Sequence, residues 1–264
     1  MMTTARVHPL LILFTIAVYI FLVGPLIIVL GASVSDTTYL TFPPQGLSLR
    51  WFKNIFEISA FRRTIVTSLQ LAFLATGLAL LIGIPAAYAL NRYRVRLPSW
   101  LSTVFVLPIL VPEIVLGFSL LKSVAVGAST PIFLTLLIGH TLLVLPYCVR
   151  VVSASLASFD FSVEEAAISL GSPPVKTFFT IVLPNVRSGV IAAFILAFIT
   201  SINDVSTSLF LTGPGISTLP IQILAHVEQF FDPTIASVSV LLMFLTVAVM
   251  AIVERTLGLT FLAK

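Results

Sequence analysis

Long uncharged apolar runs constrain this chain more than any other feature of its sequence. The first, from Leu10 to Val34, holds 25 residues without a charge, and about 20 apolar residues are enough for a helix to cross a bilayer. It is longer than the apolar core of a cleavable signal peptide, so we predict an uncleaved membrane-spanning helix. Further apolar runs of similar length follow along the chain, and helices satisfy every backbone polar group among lipid tails.

The composition agrees with this reading, because 58% of the residues are hydrophobic and only 9% are charged. A water-soluble core cannot absorb so much apolar surface. We therefore predict an all-α membrane protein with six transmembrane helices, in which residues 1–264 form a single transmembrane domain. The predicted spans are Leu10–Val34, Thr64–Leu90, Trp100–Leu121, Pro131–Val152, Ser188–Leu211 and Ile235–Val253.

The sequence lacks the motifs that would indicate catalysis or metal binding. There is no HExxH, CxxC or GxSxG pattern and no phosphate-binding GxxxxGK[ST] loop. We therefore expect no enzymatic activity, no catalytic or metal-ligating residue and no cofactor in this chain. The net charge of +4 is too dispersed to indicate nucleic acid, and Cys148, inside an apolar run, is expected to be a packing residue.

Residues 160–186 form a polar stretch between two apolar runs, and we predict two short helices joined by a tight turn. Ser162 is expected to be the N-cap of the first helix, with Glu165 three residues later as in a capping box. Gly171 stands where a helix end favours positive φ, and two prolines that follow prevent simple continuation. The second helix would run from Val175 to Val182, ended by Leu183-Pro184.

A spaced pattern runs through this loop: Glu165-Ala166-Ala167, then Gly171 after three residues, then Ile181 after nine more, and Leu183-Pro184. The spacing resembles the EAA loop of ABC importer permeases at every position. In that family the loop is the cytoplasmic coupling helix, which docks into a groove on a separate ATPase subunit. The resemblance implies that Glu165 meets a basic residue of the ATPase. The alternative is an ordinary amphipathic loop between two spans. The implied coupling residues are Glu164, Glu165, Ala166, Ala167, Gly171, Ile181, Leu183 and Pro184.

The distribution of basic residues predicts which side of the membrane each loop occupies. Arg92, Arg94 and Arg96 follow the second span, and residues 150–187 also carry basic side chains, so both regions are predicted to be cytoplasmic. Six spans then place both termini in the cytoplasm. The same arginines can also bind anionic lipid headgroups. The first external loop, residues 36–63, carries four basic residues and runs against this rule.

Glu113 and Asp204 are the carboxylates that fall well inside predicted spans. A charge at that depth is costly, so such residues usually face a polar cavity or a partner. We therefore name Glu113, Asn203 and Asp204 as candidate residues of a substrate pathway. The alternative is that each carboxylate bonds neighbouring hydroxyl groups or stays protonated. A lone histidine in a span, His140, is expected to be a neutral, hydrogen-bonded packing residue.

Four further segments narrow the resemblance: residues 112–117, residues 201–205, residues 210–214 and residues 218–221. They look like the spermidine/putrescine permease of the second, shorter type. That family often has two adjacent acidic residues where this chain has Asn203-Asp204. The resemblance implies that the solute is small, amine-bearing and polyamine-like. Because Asn203 replaces one of the two acidic residues, an aminoalkylphosphonate or another small solute is the alternative.

Together these resemblances imply the architecture of a type I ABC importer permease in the bacterial inner (plasma) membrane. They imply as partners a second permease subunit, two ABC ATPase subunits, an external or periplasmic substrate-binding protein and membrane lipid. ATP would be hydrolysed in a separate subunit, and no nucleic acid is involved. The rival readings are an ion-coupled secondary transporter that uses the buried carboxylates and His140, and, more remotely, an intramembrane enzyme.

Overall fold

The computed structural model describes residues 9–93 and 98–257, and every regular element in these ranges is helical. Arg94 and Arg96, expected to mark a cytoplasmic loop, and the chain termini lie outside the described residues. The helices are α1 Pro9–Ser33, α2 Arg50–Glu57, α3 Ser59–Arg92, α4 Ser99–Leu110, α5 Glu113–Leu120, α6 Ile132–Ala157, α7 Ser162–Ser169, α8 Pro174–Thr177, α9 Leu183–Asn185, α10 Arg187–Ile202, α11 Ser208–Leu211, α12 Leu219–Gln229 and α13 Thr234–Leu257.

Within the described residues, four helices are long and apolar enough to cross a membrane. They coincide with the first, second, fourth and sixth predicted spans. A bent pair, Pro174–Asn185 with Arg187–Ile202, meets the same criterion jointly and turns by 73° at its break. The count therefore rises to five if that pair is one span. The all-α fold is confirmed.

The third and fifth predicted spans are interrupted. In the third, α4 ends at Leu110, and Val111 and Pro112 are extended before α5 begins at Glu113. Proline lacks a backbone N–H and disfavours helical geometry in the residue before it, which explains this break. In the fifth, α10 ends at Ile202, and α11 begins only at Ser208. Each candidate pathway residue therefore lies beside a helix break.

Residues 36–63, predicted to be the first external loop, contain helix in their second half: α2 begins at Arg50 and α3 begins at Ser59. The Trp51 indole N–H donates to the Ser35 carbonyl at 3.1 Å, and the Asn54 amide donates to the Thr234 hydroxyl at 3.0 Å. These bonds lie within the compact unit formed by residues 1–62 and 223–245.

In the larger compact unit, residues 63–222 and 246–264, α6 packs against both α10 and α3. A small-residue stripe on α3 permits this approach, because Cβ on Gly83 would lie 3.0 Å from the Cys148 Cβ atom. Cys148 is buried, as expected of a packing residue. The stripe residues that are fully buried are Ala75, Ala79 and Ala87.

The polar loop folds as two short helices with a glycine turn, as predicted, but its helix ends differ. Gly171 has φ +92°, and helix resumes at Pro174. The assignment of Ser162 as N-cap was wrong: the helix begins at Ser162, whose N–H donates to the Asp160 carboxylate at 2.9 Å. The second helix also does not stop at Leu183-Pro184. A π-helical turn, Phe178–Val182, leads into α9, which continues to Asn185.

Candidate functional site

One buried carboxylate fastens the polar loop to the end of α3. The Glu164 side chain is only 1% exposed, and its Oε2 lies 3.0 Å from Arg92 Nε, an ion pair whose geometry is not that of a hydrogen bond. Its Oε1 accepts a hydrogen bond from the Tyr88 hydroxyl. Tyr88 and Arg92 are one helical turn apart on α3, so both side chains reach the same carboxylate. The loop is therefore held by a buried charge that is paired with a cation and accepts one hydrogen bond.

Aromatic side chains surround this anchor. The Tyr88 ring meets the Phe178 ring edge-on at a centroid distance of 4.9 Å and lies 6.3 Å from the Phe161 ring. The Arg92 guanidinium lies 5.5 Å from the centroid of Phe161. Because Phe161 precedes α7 and Phe178 follows α8, both ends of the glycine turn are packed against α3. The aromatic surroundings limit water access to the ion pair and strengthen it.

Glu165 shares the same cation but faces outward. Its Oε1 lies 3.0 Å from Arg92 Nη2, while its side chain remains 60% exposed. The two adjacent glutamates thus differ in orientation: the Glu164 side chain points into the chain, and the Glu165 side chain points toward solvent. The sequence analysis expected Glu165 to meet a cation of a partner, and the structure supplies one from α3 of the same chain.

The tip of the loop is apolar and uncovered in this chain. Leu170 is 90% exposed, and a Cβ atom built on Gly171 would meet no atom within 4 Å. An apolar side chain so exposed on a well-anchored loop is typical of a docking surface. Val163, Val175 and Phe179 of the same loop are exposed as well. Of the remaining predicted coupling residues, Ala166 and Pro184 are exposed, and Ala167, Ile181 and Leu183 are half-buried.

An acidic residue precedes α7 at the other end of the exposed loop surface. The Ser162 backbone N–H donates to Asp160 Oδ1, and this hydrogen bond holds the pKa of the Asp160 carboxyl below its usual value. The carboxylate therefore supplies the capping function that had been assigned to Ser162. A negative charge at this position also suits the positive end of the helix dipole.

The two carboxylates predicted to lie inside spans differ in their exposure. Asp204 is buried, whereas Glu113, the first residue of α5, is exposed on the surface of the chain. Asn203 is also exposed, and its amide donates to the Ile199 carbonyl at 2.9 Å. Glu113 and Asn203 are thus the two predicted pathway residues that are accessible. The Asp204 carboxylate lies 3.6 Å from the imidazole of His140, and His140 is buried and hydrogen-bonded as predicted.

Sequence reasoning missed the anchor of the loop. Arg92 was read as a marker of the cytoplasmic side, and Tyr88 was not singled out. A signal was present, since the two residues are four apart at the end of a span and so share a helix face. Their partner, Glu164, is 72 residues further along the chain than Arg92, a pairing that spacing within one helix does not indicate. In the described residues, no group of three His, Cys, Asp or Glu could hold a metal ion.

Comparison with known proteins gives consistent results. The profile of the family described as binding-protein-dependent transport system inner membrane component matches residues 77–258. The putrescine transport system permease protein PotI of Escherichia coli K12 is 30% identical over 232 residues, which cover 85% of this chain and 82% of PotI. The spermidine/putrescine permease PotC of the same strain is 30% identical over 93% of this chain and 92% of PotC. A putative 2-aminoethylphosphonate permease, PhnV of Salmonella paratyphi A, is 28% identical over 89% of each chain.

Two solved structures have the same fold. The MetNI methionine ABC transporter in inward-facing conformations aligns with a TM-score of 0.63 and 20% identity, covering 74% of this chain and 93% of the other. A bacterial ABC transporter that imports the acidic polysaccharide alginate aligns with a TM-score of 0.71 and 14% identity, covering 97% and 99%. Together with the helix content, these alignments confirm the predicted architecture of a type I importer permease.

The anchor can be tested by removing its cation. Arg92→Met leaves Glu164 buried with the Tyr88 hydroxyl as its remaining partner, and unpairing a buried charge costs about 3–5 kcal/mol. We expect Arg92→Met to unfold at a clearly lower temperature in detergent, and Arg92→Met with Glu164→Gln to recover most of that loss. Glu165→Gln is the matched control, because an exposed pair contributes about 0–1 kcal/mol. Unchanged unfolding of Arg92→Met would contradict the anchor.

Proposed function

Because this chain belongs to the family of binding-protein-dependent transport system inner membrane components, we propose that it is one transmembrane subunit of an ABC importer for a small amine-bearing solute. ATP is hydrolysed by separate subunits, and a second permease subunit completes the pathway. An external binding protein delivers the solute. The polyamine permeases among the relatives support an amine-bearing solute. The putative 2-aminoethylphosphonate permease supports an aminophosphonate as the alternative solute.

The exposed tip of the polar loop is the observation that carries the coupling proposal. The base of the loop is held rigidly by Glu164, while Leu170 projects without cover. A rigid base with an apolar tip can transmit a displacement from a partner to the membrane helices. We therefore assign residues 160–186 as the coupling loop, with the tip buried in the ATPase subunit. The π turn and α9 then connect the loop to α10 through the 73° bend.

In the mechanism we propose, closure of the two ATPase subunits on ATP moves the coupling loops of both permease subunits. This motion opens the pathway toward the loaded binding protein, and hydrolysis returns it to the inward-facing state. Glu113 and Asn203, exposed beside helix breaks, are proposed to line the pathway. Asp204 is proposed to belong to the same region, although its side chain is buried beneath the exposed surface. A carboxylate at Glu113 attracts a protonated amine, and an amide at Asn203 can accept or donate a hydrogen bond.

The docking of the tip is tested by placing a charge on it. Leu170→Asp puts a carboxylate into the apolar contact without disturbing the fold, because Leu170 is exposed in this chain. We expect at least a tenfold loss of ATPase subunits that co-purify with the permease. Leu47→Asp is the control, since Leu47 is equally well exposed but lies in the loop that we place outside. Normal recovery of the ATPase with Leu170→Asp would overturn the coupling assignment.

The pathway assignment is tested at Glu113. Glu113→Gln keeps the size of the side chain and removes its charge, whereas Glu113→Asp keeps the charge. With the binding protein saturated, we expect the Gln variant to lose at least tenfold in uptake of radiolabelled putrescine and the Asp variant to lose less. The same pair should be measured with 2-aminoethylphosphonate. Equal uptake by both variants for both solutes would remove Glu113 from the pathway.

The orientation is tested by cysteine labelling in intact cells. The native Cys148 is buried and unreactive toward an impermeant reagent. We expect Lys176→Cys, on the coupling loop, to react only after the membrane is permeabilised, because that loop faces the cytoplasm. Gln229→Cys, at the end of α12, should react from outside. Labelling of position 176 in sealed cells would refute the orientation and the coupling assignment together.

A further inference from the structure

A buried polar cluster lies behind the break in the fifth predicted span. Its centre is the His140 imidazole, in the middle of α6 and 1% exposed. His140 Nδ1 lies 2.9 Å from Ser201 Oγ, and Nε2 lies 3.0 Å from Ser208 Oγ and 3.6 Å from Asp204 Oδ2. Ser201 is in the last turn of α10, and Ser208 begins α11. One imidazole therefore bonds both sides of the break.

The proton positions in this cluster follow from the donors available. The Ser208 hydroxyl donates to Asp204 Oδ2 at 2.8 Å, so its oxygen is free to accept a hydrogen bond from His140 Nε2–H. We assign His140 Nδ1 as the acceptor for the Ser201 hydroxyl. In this arrangement the Ser208 hydroxyl accepts a hydrogen bond from the imidazole and donates one to the Asp204 carboxylate. Both imidazole nitrogens of His140 then have a hydrogen-bond partner.

The Asp204 carboxylate is fully engaged inside the chain. Its Oδ1 accepts from the Thr207 N–H at 3.2 Å, and Oδ2 accepts from the Ser208 N–H at 2.8 Å as well as from the Ser208 hydroxyl. Its side chain is 1% exposed. Presenting this carboxylate to a solute would break bonds that compensate a buried charge among apolar helices. The geometry therefore points to an internal role for Asp204.

The exposed side of the same break carries Asn203. On the neighbouring helix α5, a Cβ atom on Gly117 would lie 2.9 Å from the Thr207 carbonyl oxygen, so α5 packs closely on the turn. The turn is thus held by α5 on one flank and by His140 from α6 behind it. The Asn203 amide donates to the Ile199 carbonyl in the last turn of α10, so the placement of its side chain depends on how that turn is held, and His140 holds the same turn through Ser201.

We propose that His140 is a positioning residue for the translocation pathway. It clamps Ser201 and Ser208, and through Ser208 the Asp204 carboxylate, so that the interrupted span presents Asn203 to the solute. The proposal rests on the proposed function, because it assumes that Asn203 lines the pathway. His140 itself does not touch the solute. The charge of Asp204 stabilises the turn and leaves Glu113 as the accessible carboxylate of this region.

Two substitutions at His140 separate its two hydrogen bonds, one to Ser201 and one to Ser208, which together we call the clamp. A glutamine places its amide near the position of Nε2 and can keep the bond to Ser208, whereas an asparagine places it near Nδ1 and can keep the bond to Ser201. We expect His140→Gln to retain uptake within about threefold of the native chain. His140→Asn and His140→Leu should lose at least fivefold in maximal uptake, with the half-saturating concentration of loaded binding protein unchanged.

A second readout follows the turn directly. In complexes that carry Asn203→Cys, the rate at which a small thiol reagent labels position 203 should change at least threefold with His140→Leu or His140→Asn, and little with His140→Gln. Thr76→Val is the matched control. Thr76 is buried in α3, its hydroxyl has no hydrogen-bond partner among the residues that the structure describes, and valine has nearly the same shape. We expect that variant to label and transport normally.

The outcomes distinguish the clamp from a general packing role and from the proposed function. Equal losses with Gln, Asn and Leu would reduce His140 to a packing residue and overturn the proposal. Native uptake with His140→Leu, and an unchanged labelling rate, would also overturn it. If the native complex shows no ATP hydrolysis stimulated by a loaded binding protein, the proposed function fails. The labelling series at position 203 still decides the clamp in that case.

Discussion

A charge removed from water must find its partners inside the protein, and two carboxylates of this chain meet that requirement in the same way. Glu164 is paired with Arg92 and Tyr88 of α3, and Asp204 is bonded by Ser208, which in turn meets His140 of α6. Each carboxylate belongs to a segment that is not part of a long helix, and each is tied to a helix that is. Because an unpaired buried charge costs several kcal/mol, both attachments are strongly specified.

This constraint explains why irregular segments occur in a chain that otherwise consists of apolar helices. Irregular backbone is tolerated at membrane depth only where it is buried in protein or lines a polar cavity. The turn at residues 203–207 meets this condition, since Asp204 accepts its amide hydrogens and Gly117 lets α5 approach closely. The break before Glu113 follows from Pro112. Both breaks therefore keep polar groups available where uninterrupted helices would present aliphatic side chains.

The sequence was sufficient for those features that are determined locally. Uncharged runs located the four long helices, and the glycine and prolines located the turn of the polar loop. The helix ends were less accurate, because Asp160, rather than Ser162, accepts the first free amide of α7. Similarly, no local motif indicated the π turn at Phe178–Val182, where the Phe178 ring packs against Tyr88.

The site itself depended on contacts between distant parts of the chain, and here sequence reasoning reached only part of the answer. It identified both intramembrane carboxylates but could not tell that Asp204 is enclosed and Glu113 exposed. That difference depends on which faces of α5, α6 and α10 meet, and periodicity is uninformative in helices that are apolar on all sides. The pairing of Arg92 with Glu164 was hidden because the two residues lie on different helices, 72 residues apart in the sequence.

The shared cation at the base of the loop has a consequence for charge balance. Arg92 supplies one positive charge to two carboxylates, so the group of Arg92, Glu164 and Glu165 retains a net charge of −1. The excess resides on the solvent-facing Glu165. If a cation of another molecule binds Glu165, Arg92 loses Glu165 as a partner and pairs with Glu164 alone. By thermodynamic reciprocity, whatever tightens the hold on Glu164 must also favour that external cation to the same extent, so occupancy of the surface and rigidity of its base rise together.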